Sequence, residues 1–197
     1  LAWQLARRNA LNVATPDVEK FETKSTSGAT DLFYRFDALR RFQAAREGER
    51  TGAQLAMSNV PFITLGALGR ALFRALPPDR IPEPLRDRTL STAPVRSVVL
   101  VDEIDKASRD FPNDLLNEIE GMYFRIPELD DIKIGGDDML DPKLRPIVII
   151  TSNSEKNLPD PFLRRCVYYN IPFPEPTRLA EILLSRVSHL SMEDATL

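Results

Sequence analysis

Apolar positions along the chain follow two patterns: some recur at helical spacing, and others run unbroken for four or five residues. Leu1, Leu5 and Leu11, with Ala2 and Ala6, fall near one helical face, so the chain opens inside or just after the start of a helix. Pro16 then marks a turn, followed by a short strand candidate at Glu19–Thr23 and a Ser/Thr/Gly loop. The stretch TDLFYRFDALRRFQAAREG predicts a helix with Leu32, Phe33, Phe36, Leu39 and Phe42 on one face, Thr30 as N-cap and Gly48 as stop. PFITLGALGRALFRALPP predicts a second amphipathic helix through Leu65, Leu68, Leu72 and Leu76, weakened by Gly66 and Gly69 and closed by Pro77 and Pro78. Between Pro77 and Pro94 stand five prolines and several arginines, which suits an irregular surface connection.

The unbroken apolar runs lie further on. VRSVVLVDE and RPIVIITSN predict strands buried on both faces, each ending on polar residues. Between them DFPNDLLNEIEG predicts a helix with Pro112 in its first turn and Gly121 at its stop, and IPELDDIKIGGDDMLDPKL a hairpin or loop excursion. LPDPFLRRC reads as a short helix, VYYNIPF as a third strand, and PEPTRLAEILLSRVSHL as a helix opening a new unit. Helices alternating with continuous apolar strands predict an α/β fold with a parallel sheet covered on both faces. No internal repeat is present.

Composition narrows the class. At 197 residues and 43% hydrophobic the chain suffices for one domain with a sizeable core plus a fragment. A net charge of -3 with 28% charged residues gives a surface of mixed sign and no global case for nucleic acid or an anionic membrane. The pairs Arg7-Arg8 and Arg40-Arg41 and the stretch Arg86 to Arg88 lack interleaved exposed aromatics, so a solvated face is the reading preferred over nucleic-acid contact. One cysteine, Cys166, forms no internal disulfide, and one histidine, His189, leaves neither a zinc cluster nor a Ser-His-Asp hydrolase within reach. A reducing cytoplasm fits, and no apolar run approaches the ~20 residues of a membrane span.

In an open α/β sheet, ligands gather outside the carboxyl ends of the strands. Asp102 and Glu103 stand at one such end, and Thr151, Ser152 and Asn153 at another. Adjacent carboxylates suit nucleotide hydrolysis, where one holds magnesium and the other orients or deprotonates the attacking water. Plainer accounts remain open: Asp102 caps the next helix, Glu103 is merely exposed, Asn153 forms a turn, and Arg164 and Arg165 are solvated.

Taken together, these stretches resemble a known family. VVLVDEID looks like the Walker B strand with its catalytic glutamate, PIVIITSN like sensor 1, and LPDPFLRRC like the arginine-finger helix of the AAA+ ATPases. DLFYRFDALRRF, DEIDKASRDFPNDLLNEIE and ITSNSEKNLPDPFLRRCVYYNIPFP are similar to its MoxR-like branch, whose members are ATP-driven, chaperone-like remodellers often found alongside von Willebrand A domain proteins. The resemblance implies a three-layer, P-loop NTPase-type core over residues 1–174 and the first helix of a C-terminal lid over 175–197. It implies ATP and Mg2+ as cofactors, with Asp102 serving the metal, Glu103 polarising the hydrolytic water and Asn153 positioning it. Arg165, with Arg164 beside it, would act as the finger in a neighbouring subunit's site. Partners implied are further copies in a ring, commonly a hexamer, and a protein client. The alternative is a nucleotide-dependent switch or assembly scaffold with little or no hydrolysis.

The chain departs from the family in one respect. The eight glycines form no G-x-x-x-x-G-K-[ST] loop, which would turn backbone N–H groups onto the phosphates. The family places that loop just before a helix like LAWQLARR, so the expectation is an N-terminally incomplete core whose phosphate cradle lies upstream of Leu1. Such a fragment alone is expected to bind ATP poorly.

Overall fold

The computed structural model describes residues 18–51, 58–88, 93–153 and 156–186. Its strands are β1 (Glu19–Glu22), β2 (Tyr34–Phe36), β3 (Ile63–Leu65), β4 (Val98–Asp102), β5 (Tyr123–Ile126), β6 (Ile132–Gly135) and β7 (Ile147–Ile150). Its helices are α1 (Ala38–Thr51), α2 (Ala67–Ala75), α3 (Phe111–Asp114), α4 (Leu116–Gly121), α5 (Asp160–Leu163) and α6 (Pro176–Arg186). The opening helix predicted around Leu1–Leu11 lies outside the described residues. Two units divide the chain, residues 1–165 and 166–197.

The first unit is α/β. Its parallel sheet has the order β1-β4-β7, with Glu22 opposite Asp102 and Val101 opposite Ile150. The three strands therefore end level, and their carboxyl ends form one shelf. β-branched residues dominate β4 and β7, as a pleated surface packed on both sides favours. One face, carrying Phe21, Val99 and Val101, joins the main core; the other carries a smaller cluster of Val18 and Val98 with half-buried Leu100, Ile147 and Ile149.

α2 supplies the main cover. Leu68, Ala71, Leu72 and Ala75, at helical spacing, are completely buried. Burying each leucine is worth roughly 1.5–3 kcal/mol. Arg70 and Arg74 from this helix both reach Glu19, tying it to the start of β1. Aromatic pairs continue the core: Phe21 stacks on Phe111 at 6.2 Å, and Phe33 on Phe124 at 5.5 Å.

Both strands predicted from apolar runs form, as do the short strand near Glu19 and the short helix at 160–163. Other expectations are corrected, among them the single helix predicted over 110–121, which is broken at Leu115 into α3 and α4. The predicted helix over 30–48 is instead a 3-10 turn at Ala29–Leu32, then β2, then α1. Antiparallel pairing of Tyr34–Phe36 with Ile63–Leu65 draws these residues into a ladder, and the Asp37 carboxylate restarts the helix by accepting from the Arg40 N–H at 2.9 Å. Leu39 and Phe42, expected in the core, are exposed. The same pairing shortens the second predicted helix to α2, which starts after Gly66.

The hairpin is the antiparallel pair β5–β6, starting earlier than expected, at Tyr123. In the second unit VYYNIPF forms no strand, and Val167, Tyr168, Tyr169, Ile171 and Phe173 are exposed. A strand is held by its ladder, and among the described residues this segment has none; Pro172 also removes a donor. No helix among the described residues is long and apolar enough to cross a membrane.

Candidate functional site at the strand ends

Level strand ends bring Asp102, Glu103 and Thr151–Asn153 together. After β4 the chain turns sharply, and Glu103 takes a left-handed backbone at φ 55° and ψ 53°. Residues other than glycine, asparagine or aspartate rarely adopt this conformation, and it tends to persist where surrounding contacts over-determine it. Here the turn is pinned from β7. The Ile104 N–H donates to the Thr151 carbonyl at 2.9 Å, and the Glu103 N–H donates to the Thr151 hydroxyl at 2.9 Å.

That hydroxyl also acts as a donor. Thr151 Oγ1 donates to Asp102 Oδ1 at 2.7 Å, while Lys20 Nζ lies 3.1 Å from Asp102 Oδ2. The Thr151 hydrogen bond first, and the Lys20 ammonium second, hold the Asp102 carboxyl below the usual carboxylate range. Asp102 does not cap a helix: its carboxylate is an ionised acceptor between two neighbouring elements.

Glu103 faces Asn153. The Asn153 amide Nδ2 donates to Glu103 Oε1 at 2.8 Å, and Lys106 pairs with Oε2. The Asn153 N–H donates to the buried carboxylate of Asp105 at 3.3 Å, fixing the backbone beneath that amide. Asn153 is thus not a bare turn residue. Lys156 donates to the carbonyls of Ala107 at 2.8 Å and Lys106 at 3.4 Å, which braces the turn holding Glu103.

The two arginines stand apart from this network. Arg165 Nε donates to Glu120 Oε2 at 2.7 Å and its Nη1 to the Pro161 carbonyl at 2.9 Å; Arg164 bonds the Asp160 carbonyl at 3.3 Å. Both are exposed at the end of α5. The other arginine groups serve internal contacts: Arg41 donates to Asn59, Arg88 to the carbonyls of Val60 and Ile63, and Arg40 lies over the Phe62 ring. Arg7-Arg8 lies outside the described residues.

Among the described residues no group of three or more His, Cys, Asp or Glu side chains stands ready for a metal. Magnesium asks for less: one or two carboxylates, with waters and substrate phosphates completing its octahedron. An ionised, half-exposed Asp102 at a strand end fits that demand. Sequence reasoning did not assign roles to Thr151, Lys20, Lys106 or Asp105. The TSN ending of β7 signalled Thr151 only weakly, and the two lysines carried no signal, because strand pairing and a turn bring them in.

No protein-family model matches the chain, and no curated protein matches it.

Proposed function

We propose that this chain carries the hydrolytic elements of a magnesium-dependent ATPase of the AAA+, MoxR-like kind, working as an oligomeric ring on a protein client. One observation carries the reading: two adjacent carboxylates and an amide meet at level parallel strand ends, with the Thr151 hydroxyl tying the Asp102 carboxylate to the Glu103 backbone N–H and the Asn153 amide bonding the Glu103 carboxylate. Asp102 would hold magnesium, which when bound neutralises charge on the β- and γ-phosphates. Glu103 accepts a proton from the attacking water, and the Asn153 amide orients that water against the γ-phosphate. Arg165, with Arg164 beside it, reaches the phosphate of a neighbouring subunit and offsets developing charge.

A second reading has its own observation. Both Glu103 oxygens are engaged, one by Asn153 and one by Lys106. A protein that rests there binds nucleotide, assembles and turns over slowly, as a switch or scaffold.

The test is phosphate release by the intact protein carrying this chain, with ATP and Mg2+. Glu103→Gln is expected to lower kcat by roughly 10²–10³-fold, within the range of a lost general base, while ATP affinity stays within about twofold. Release unchanged by E103Q removes Glu103 from the chemistry. Negligible release by the unsubstituted protein, with ATP-driven assembly intact in both, identifies the switch.

A further inference from the structure

Lys20 lies on β1, outside every stretch that signalled chemistry in the sequence, yet its ammonium touches the carboxylate assigned to the metal. The register explains how. Glu22 pairs with Asp102 and Lys20 with Leu100, so alternation puts Lys20, Glu22 and Asp102 on one sheet face, opposite the face that buries Phe21. The lysine side chain runs forward along that face. Its Nζ lies 3.1 Å from Asp102 Oδ2 and 2.9 Å from Glu22 Oε1.

Asp102 then has one oxygen on each side of a divide. Oδ1 accepts from Thr151, a neutral donor fixed by β7, whereas Oδ2 takes a mobile cation. Oδ2 is the oxygen open to exchange. The pair is half-exposed, with Lys20 at 42% and Asp102 at 32% of full side-chain exposure, so water and ions reach it. A lysine ammonium is a compact charge on a flexible stem, able to turn between acceptors, and Glu22 already provides a second one. Space is provided as well: an open cleft of about 380 Å³ adjoins Lys20, bounded by Glu22, Asp31, Arg35, Gly66 and Arg70. The arginines there are paired, Arg35 with Asp31 and Arg70 with Glu19, and among the described residues Glu22 pairs with Lys20.

We propose that Lys20 is a resident counter-ion for Asp102, occupying Oδ2 until a divalent cation arrives and then retiring onto Glu22 and into the cleft. The proposal rests on the reading of Asp102 as the metal carboxylate and adds a residue that sets metal affinity. A single positive charge is exchanged for a double one, and the two cannot share one exposed oxygen at close range without strong repulsion. Lys20 therefore lowers the affinity of the bare site for metal. Lys106 is no equivalent, since it sits three residues from Glu103 on the same turn and pairs with that residue's carboxylate.

The experiment titrates the intact protein with Mn2+ alone, following free Mn2+ by its electron paramagnetic resonance signal. Lys20→Met, which keeps length and loses charge, is expected to tighten Mn2+ binding about tenfold, the cost of giving up one ion pair of unit charges 3.1 Å apart in a water-like dielectric. Lys20→Arg is expected to bind as the unsubstituted protein does, and Asp102→Asn in the Lys20→Met background to abolish the gain. Tight binding by K20R would make packing, and not charge, the cause and overturn the proposal. Equal affinity in the unsubstituted and K20M proteins, with binding still lost in D102N, removes Lys20 and leaves Asp102 as the metal residue. Binding indifferent to D102N, or no saturable binding even in K20M, overturns both the proposal and the reading of Asp102.

Discussion

Thr151 shows how much one hydroxyl settles at this site. It donates to Asp102 and accepts from the Glu103 N–H, so it fixes the charge state of one acid and the backbone of the next. Because the folded state lowers the Asp102 pKa, the ionised carboxylate contributes stability that is fully present above the ordinary value of about 3.9 and is lost as pH falls through the lowered one. Thr151→Val removes the first cause of that lowering. It is expected to reduce stability at pH 7 by about 1 kcal/mol, below the roughly 1.5–3 kcal/mol of a hydrogen bond to a charged group because water screens this half-exposed one, and to move the onset of acid unfolding to higher pH. Urea titrations across pH 2–7, a range chosen to span the usual carboxylate values, check both; an unchanged acid limb would remove Thr151 from the control of Asp102. At this scale the carboxylates and the amide were legible in the sequence because they directly follow apolar runs. Lys20 was not, because a cross-strand reach of one side chain leaves no pattern along the chain.

At the scale of elements, α2 settles a conflict between local preference and packing. Gly69 reads as a weak point in a helix, and alanine there should gain about 1 kcal/mol from propensity alone. A Cβ at Gly69, however, would lie 1.8 Å from the Phe33 carbonyl oxygen, which belongs to backbone that cannot swing aside. Overpacking of this kind costs typically 1–3 kcal/mol, and contact with a carbonyl belongs at the upper end. Gly69→Ala is therefore expected to be destabilising by about 2 kcal/mol net, read as a lower urea midpoint. A gain in stability would show that the helix can stand off from the 29–33 turn. The close approach also explains what the sequence concealed. Strands VVLVD and IVII were legible because burial on two faces writes itself as a continuous run. β2 and β3 are three residues each and exist only through one another, so YRF and ITL lent themselves to the helical periodicity of their neighbours.

For the whole molecule, the proposed ring makes each hydrolytic site a joint product of two subunits, with Glu103 from one and Arg165 from the next. Glu103→Gln and Arg165→Ala proteins, each inactive alone, are expected on mixing to recover a fraction of ATPase activity, because a junction pairing intact Glu103 with intact Arg165 re-forms. Recovery indistinguishable from zero, in assemblies shown to contain both subunits, would place Arg165 outside the neighbouring site and leave its Glu120 pair as its whole role. The second unit has a consequence of another order. Residues 167–173 present Val167, Tyr168, Tyr169, Ile171 and Phe173 to water with no charge among them and, among the described residues, no ladder to hold their amides. Such a segment is rich in β-formers, and among the described residues no strand pairs with it; Pro172 interrupts its row of donors. In colloidal terms it is a sticky segment: crowding favours its pairing with its own kind, so shelf life falls as concentration rises, and charge added at Tyr169 is the natural gatekeeper.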